Sequence, residues 1–277
     1  MEEVDVKKYL ERFSNTTVDF YIQTGNYGDA LILNGAWQVF KDLNIRTNDI
    51  TIDSPVGNNV LIINGNGNFI DLYEQVRDIV IKNHLLYKEI IILPSTIYGK
   101  LQQPLLQSLK EHVTIFCREK MSYAFVKEHA VNCKVYLWHD LAFYNHMPTV
   151  PEGVGELNAF REDDEKFLLK KPANNIDVSK RGSQSTPLDE FIKILGAYKT
   201  INTDRLHVCI GSAMLGKQVN FYPNSYYKNK AIYEYSIKDK YPKVKLFEPG
   251  FFEVENFLFK KIGKYKRSIA FRLGLRK

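Results

Sequence analysis

The sequence contains little cysteine and no long apolar run. Its only cysteines, Cys117, Cys133 and Cys209, stand in apolar surroundings and lack the spacing of a metal site. Reduced, buried thiols of this kind are typical of a cytoplasmic protein. No segment reaches about 18 consecutive apolar residues, so we expect no transmembrane helix. The first residues, MEEVDVKKYLERF, are acidic and mixed, unlike a secretory signal. Together these absences predict a cytoplasmic protein.

Acidic residues are absent from the last 21 positions, FLFKKIGKYKRSIAFRLGLRK, which contain eight lysines and arginines. The net charge is +6, yet the rest of the chain has 30 basic and 32 acidic residues. A near-neutral body argues against a nucleic-acid partner. Within this tail, residues 257–277, apolar side chains recur every three to four positions. Such a basic amphipathic helix is expected either to lie on an anionic membrane surface or to pack back onto the body.

Buried strands alternate with helices along the first half. Apolar strands are predicted at 18–24, 59–65, 89–95, 113–119 and 134–140, and helices at 30–43, 71–84 and 120–129. This alternation predicts an α/β fold with a doubly wound parallel sheet. The polar stretch 147–165 is interpreted as a linker, and a smaller α/β unit follows, with strands at 166–171 and 218–222 and a helix at 188–199. The predicted domains are 1–150 and 151–256, followed by the tail.

Polar residues and glycines follow the predicted strands. Ligands of open α/β sheets bind beyond the carboxyl ends of the strands. The residues at these ends are Gly25, Asn26, Gly28 and Asp29, then Gly65 and Gly67, then Ser95 and Thr96, then Arg118 and Glu119, and finally Asp140. Neither glycine loop has the spacing of a dinucleotide or phosphate-loop motif. Each glycine alone is more typical of a turn, and only their shared position indicates an anion site.

The stretch INTDRLHVCIGSAMLGKQVNFY places Arg205 and His207 at the start of an apolar helix. A guanidinium at the edge of a core needs a partner. In one interpretation Asp204 caps the helix, Arg205 is solvated and His207 is an ordinary core residue. In the other, the missing partner is an anionic ligand.

Several motifs in succession resemble those of the polysaccharide pyruvyl transferases. They are GNYGDALI, NGNGNFIDLY, ILPSTIYG, CREKMSYAFV, WHDLAF and TDRLHVCIGSAMLGKQVNFYPNSYYKNKAIYEY, and they cover roughly residues 18–235 in the family's order. Two departures stand out. Asn64 and Asn66 replace expected glycines, and the acidic residue that usually follows the strand at FLLKK is not evident.

The resemblance implies two Rossmann-like domains with parallel sheets, arranged as in GT-B glycosyltransferases, with the active site in the interdomain cleft. The implied reaction moves pyruvate from phosphoenolpyruvate onto a sugar as a cyclic ketal. The expected acceptor belongs to a surface polysaccharide, such as a capsule or exopolysaccharide, or to its lipid-linked oligosaccharide precursor. A peripheral position on the inner face of the cell membrane would suit such an acceptor. We expect no cofactor and no metal, because arginine and lysine supply positive charge.

The resemblance also assigns residues. Arg118, Arg205, Leu206 (through its backbone) and His207 are expected to bind the donor. His207 is the expected acid–base group because imidazole can give and take protons at neutral pH, and Arg205 and Lys228 are expected to assist catalysis. The alternative interpretation of Lys228 is a solvated lysine in a loop, without a role in catalysis. Asn26, Asp29 and Asp140 are candidates for acceptor binding or for a base, and for the two aspartates a cap or turn residue is the alternative.

Two other functions remain open at this point. A GT-B nucleotide-sugar glycosyltransferase would share the fold, but no convincing acidic residue for a ribose is evident in the second unit. A non-catalytic sugar-binding protein of the same fold is the other alternative. Saturation by phosphoenolpyruvate but not by nucleotide-sugars would separate these possibilities.

Overall fold

The computed structural model describes residues 1–163, 165–166 and 171–247. Its strands are β1 Thr17–Tyr21, β2 Arg46–Ile50, β3 Val60–Ile63, β4 Phe69–Ile70, β5 Glu89–Ser95, β6 Ile97–Tyr98, β7 Val113–Cys117, β8 Lys134–Leu137, β9 Glu156–Asn158, β10 Thr200–Thr203, β11 Gln218–Phe221 and β12 Val244–Leu246. The α-helices are α1 Val6–Leu10, α2 Tyr27–Asp42, α3 Gln75–Asn83, α4 Gln103–Ser108, α5 Lys120–His129, α6 Asp189–Gly196, α7 Leu206–Met214 and α8 Lys228–Ile232. Short 3₁₀ turns occur at Glu11–Phe13, Lys100–Gln102, Leu141–Tyr144 and Val178–Arg181, and a π-helix at Tyr233–Ile237.

The larger sheet is parallel throughout, in the order β2-β1-β3-β5-β7-β8. Side chains of β5 alternate between two cores: Ile90 and Ile92 pack on one face of the sheet, and Ile91 and Leu93 on the other. Both faces are therefore covered, which explains the continuous apolar run in this strand. The strand order reverses between β1 and β3, and ligands of such sheets bind beyond the carboxyl ends near that point.

A second parallel sheet has the order β12-β11-β10-β9. Its core contains Ile201 and Val219 from the strands together with Tyr27 and Leu31 from α2. The fully buried Tyr27 donates its hydroxyl to the Pro187 carbonyl at 2.7 Å. The first helix after β1 thus packs into the core of the other sheet. An α/β fold with parallel sheets is confirmed, and β4 and β6 form a further, two-stranded parallel sheet.

The interpretation of 147–165 as a linker is wrong. This stretch contains β9, which pairs with β10, and residues that follow β9 enter the candidate site. The strand was missed because it is three residues long and only Leu157 within it is buried. Helix α2 also begins three residues before the predicted Ala30, because the GNYGD turn forms its first turn.

Two predictions fall on residues that the structure does not describe. The predicted strand at 166–171 lies largely outside the described residues, and the tail at 257–277 lies wholly outside them. The domain boundaries stay predictions. Over the ranges the structure covers, no helix combines the length and apolarity needed to span a membrane.

Candidate functional site

One pocket brings together residues that follow strands of both sheets. Of the eight sequence-predicted site residues, seven line it: Asn26, Asp29, Arg118, Arg205, Leu206, His207 and Lys228. Asp140, the eighth, lies directly behind the pocket in contact with two of them. The pocket thus lies beyond the carboxyl ends of the strands, where the sheet topology predicts a ligand.

Helices α2 and α7 both begin at this pocket. Asn26 caps α2: its side-chain oxygen accepts the Gly28 N–H at 2.7 Å, and Asp29 returns the contact by accepting the Asn26 N–H at 2.8 Å. A cap is the alternative role that the sequence leaves open for Asp29, and the structure shows it as part of a capping box with Asn26. The first N–H groups of a helix carry partial positive charge, so two helix starts favour an anion in the pocket.

Asp140 links an arginine to a histidine. Its Oδ2 accepts from Arg118 Nη1 at 2.7 Å and lies 3.4 Å from His207 Nε2, while its Oδ1 accepts the Ala142 N–H at 2.8 Å. Burial alone would raise the pKa of Asp140, but Arg118 and His207 together hold it well below its usual range. An ionised carboxylate can only accept a hydrogen bond, so the Asp140 contact favours the proton on Nε2 and leaves Nδ1 as the basic nitrogen.

Two glycines allow these groups to approach the backbone. A Cβ at Gly28 would lie 2.8 Å from His207 Nδ1, and a Cβ at Gly67 would lie 2.8 Å from Arg118 Nη2 and 3.6 Å from Lys228 Nζ. The Gly67 loop is held by Asn66, whose side-chain oxygen accepts the Asn68 N–H at 2.7 Å. Asn66 therefore supplies a turn contact at a position where the resemblance led us to expect a small residue.

Lys228 is buried, not a solvated loop lysine. Its Nζ donates to Glu165 Oε2 at 2.7 Å, and the same carboxylate accepts from Arg161 Nη1 at 2.8 Å. Burial lowers the pKa of Lys228 to about 8; Glu165 opposes this, while Arg161 and Arg118 reinforce it. Lys228 and Arg161 keep the pKa of Glu165 below its usual range despite burial. Near neutral pH a lysine with a pKa of about 8 can release a proton as the ammonium or take one up as the amine.

Arg205 has internal acidic partners. Asp177 accepts from its Nε at 2.9 Å and from its Nη2 at 2.5 Å, and Asp163 Oδ2 lies 2.7 Å from its Nη1. The sequence indicates no partner for the Arg205 guanidinium. In the folded protein Asp177 is that partner. Arg205 itself occupies the N-cap position of α7, so the prediction that Asp204 caps this helix is wrong.

Asp204 lies behind the pocket. Its Oδ1 accepts the Arg161 N–H at 2.7 Å, whereas its buried Oδ2 has no hydrogen-bond partner among the described residues. Burial raises the pKa of Asp204 to about 6, although Arg161 and Arg205 lower it in part. Asp204 is therefore a buried acid with a pKa of about 6, and it does not cap the helix.

Sequence reasoning missed Arg161, Asp163, Glu165 and Asp177. The first three lie in the stretch interpreted as a linker, and the fourth is 28 residues from its partner Arg205. A usable signal was the single arginine between an apolar Phe160 and a run of acids. Within the described ranges, no group of three or more His, Cys, Asp or Glu could hold a metal ion. That activity needs no metal stays a prediction.

The chain is similar to known proteins over most of its length. A family model described as polysaccharide pyruvyl transferase matches residues 26–226. The chain is 25% identical to a Bacillus subtilis (strain 168) protein named "Putative pyruvyl transferase EpsO", over 74% of this chain and 80% of that protein. It also resembles a solved structure of a functionally uncharacterised Klebsiella pneumoniae subsp. pneumoniae NTUH-K2044 protein, with a TM-score of 0.72, 30% identity, and coverage of 88% of this chain and 97% of that chain. The family model spans nearly every pocket residue named above, and the chain belongs to the polysaccharide pyruvyl transferase family.

Proposed function

We propose that this protein transfers pyruvate from phosphoenolpyruvate onto two hydroxyl groups of a sugar, forming a cyclic ketal. One observation carries the proposal: Arg118, Arg161, Arg205 and Lys228 converge with His207 on one pocket of a family member. Phosphoenolpyruvate carries a phosphate and a carboxylate, and guanidinium groups bind both in a bidentate manner. A GT-B-like pair of units, with the pocket between the two sheets, is part of the proposal.

The reaction balances without an added reagent. A proton adds to the methylene of phosphoenolpyruvate and makes it a methyl group, while the first sugar hydroxyl bonds to the neighbouring carbon and gives up its proton. The carbon–oxygen bond to phosphate then breaks. The second hydroxyl bonds to the same carbon, and its proton leaves with the phosphate. The products are a ketal-bearing sugar and inorganic phosphate.

The named side chains suit these steps. His207 would transfer protons through Nδ1 while Asp140 fixes its ring, since Nε2 faces the carboxylate at 3.4 Å. Lys228, with its pKa of about 8, would neutralise or protonate the departing phosphate. Arg118 and Arg205 would hold the donor, with the backbone of Leu206 at the start of α7. No step in this scheme uses a metal or a cofactor.

The acceptor is proposed to be a sugar of a surface polysaccharide or of its lipid-linked precursor. Asn26 and Asp29 line the same pocket as the cations, although both also cap α2. A cytoplasmic protein held at the inner face of the membrane would meet such an acceptor. The basic tail at 257–277 is proposed as the contact with an anionic membrane surface.

Phosphate release in the presence of phosphoenolpyruvate and a panel of sugar acceptors tests the proposal. We expect release that saturates with phosphoenolpyruvate and depends on an acceptor, with ketal formation detected by mass spectrometry. His207→Ala should lower kcat by roughly 10²–10⁴-fold, the range for removal of a general acid–base group. Turnover of nucleotide-sugars in place of phosphoenolpyruvate would instead indicate a glycosyltransferase, and wild-type kcat in His207→Ala would contradict the role of this residue.

A further inference from the structure

Arg161 and Arg205 share one carboxylate at the mouth of the pocket. Asp163 Oδ1 accepts from Arg161 Nε at 2.7 Å, and Oδ2 accepts from Arg161 Nη2 at 3.1 Å. The same Oδ2 lies 2.7 Å from Arg205 Nη1. One aspartate therefore occupies the space between two guanidinium groups in the bidentate manner of a bound anion.

Each arginine also has a second carboxylate partner that is far less accessible. Arg205 is held by Asp177, whose side chain is 3% exposed, and Arg161 by Glu165, which is 6% exposed. The side chain of Asp163 is 37% exposed. Moving a buried carboxylate away from its partner leaves an uncompensated charge in a low-dielectric site, whereas a half-exposed carboxylate can exchange its partner for water. Of these carboxylates, Asp163 is the one that an incoming anion can replace.

We infer that Asp163 is an internal competitor for the anion site: it neutralises Arg161 and Arg205 in the empty pocket, gives way to an entering phosphate, and returns as phosphate leaves. The inference deepens the proposed function and rests on it only for the identity of the anion. In the proposed reaction, inorganic phosphate is left among several cations, where strong binding would slow turnover. A carboxylate that competes for the same guanidinium groups weakens the binding of every anion at this site by one common factor, and so favours release.

The matched experiment uses Asp163→Asn in the full-length protein, because asparagine keeps an oxygen that can still accept the Glu165 N–H, which Asp163 Oδ1 accepts at 3.1 Å. The neighbouring Glu162→Gln is the control: it removes the same charge, but Glu162 pairs with Lys180 at 3.0 Å and not with the two arginines. Calorimetric titration with inorganic phosphate, and separately with acetate, measures affinity without any transfer reaction. Asp163→Ala serves as a second variant, and thermal unfolding checks that each protein is folded.

We expect Asp163→Asn to bind phosphate and acetate more tightly by the same factor, roughly 10- to 100-fold, as expected when a charged competitor is removed. Glu162→Gln should change both affinities less than about threefold, because the effect of an exposed charge is small. In turnover, phosphate should inhibit Asp163→Asn at correspondingly lower concentration. Equal or weaker phosphate binding in both folded Asp163 variants would overturn the inference, as would an equal gain in Glu162→Gln. Tighter phosphate binding in a protein that does not turn over phosphoenolpyruvate would leave the inference standing and refute the proposed function instead.

Discussion

Replacing Asp140 with asparagine should destabilise the protein because it removes the charge partner of a buried arginine. Arg118 is almost fully buried, and Asp140 Oδ2 is the carboxylate oxygen at hydrogen-bond distance, 2.7 Å from its Nη1. In the variant, Thr96 still accepts from Arg118 Nε at 2.9 Å, and the amide oxygen of the introduced asparagine can still accept the Ala142 N–H. The variant therefore keeps the shape of the side chain but loses its charge and the oxygen that accepts from Arg118 Nη1.

Breaking one side of a buried ion pair typically costs about 3–5 kcal/mol, since the remaining charge is left without compensation. The remaining hydrogen bond from Arg118 to the Thr96 hydroxyl reduces this cost, so we expect Asp140→Asn to lower the free energy of unfolding by about 3 kcal/mol. Removing both charges should cost less than the sum of the single changes. A double variant with Arg118→Met should therefore show a coupling energy of at least about 2 kcal/mol.

Urea unfolding, followed by the fluorescence of Trp37 and Trp138, measures these free energies by linear extrapolation. The pKa of Asp140 in the folded protein lies below its usual range, so its contribution is present above about pH 3.9 and is lost as the pH falls further. The difference between wild type and Asp140→Asn should shrink accordingly at low pH. Additive effects in the double variant would show that Arg118 does not depend on Asp140 and would refute this reasoning.

The remaining predictions concern a glycine and a buried acid. Gly28→Ala should lower kcat by roughly 10²-fold, because the new Cβ displaces the His207 ring and an ångström of misplacement can cost that much. Gly196→Ala is the control: its new Cβ would lie 3.5 Å from Val150 Cβ, an ordinary contact, so we expect wild-type kcat. Asp204→Asn should gain stability relative to wild type by about 2 kcal/mol as the pH rises from 4 to 7, because a folded-state pKa of about 6 stabilises wild type only at low pH. Urea unfolding across that range measures the gain, and parallel pH profiles for the two proteins would contradict it.

Strong local patterns made parts of the fold predictable. Strand β5 and helix α5 lie at the predicted residues, because an apolar run and a helical period are set by neighbouring positions. Strand β2 was not predicted, since four of its five residues are polar or charged and Ile50 is its one buried residue. Such an edge strand is held by pairing with β1, which the local sequence does not reveal.

Some residues of the candidate site could likewise be predicted from local sequence, and others could not. Arg118 follows a recognisable strand, so its place at the edge of the sheet could be predicted from where parallel strands end. The strand before His207, β10, was not predicted, and only the family resemblance led us to expect the two residues in one site. Arg161 follows a three-residue strand inside a polar stretch, and no periodicity marks it. The pairing of Arg205 with Asp177 joins two loops that are distant along the chain, and only the folded structure brings them into contact.

Tyr27 limits how the two sheets can move relative to each other. Burial of an aromatic side chain removes about 150–250 Å² from water, which is worth roughly 4–6 kcal/mol at about 25 cal/mol per Å². A rotation that separated the sheets would pull Tyr27 out of the core it shares with Phe191, and such a state would occupy roughly one molecule in a thousand or fewer. Opening of the molecule at a hinge between the sheets would therefore carry the free-energy cost of exposing Tyr27. We therefore expect ligands to enter and leave the pocket as side chains exchange their partners, while the two sheets keep their relative position.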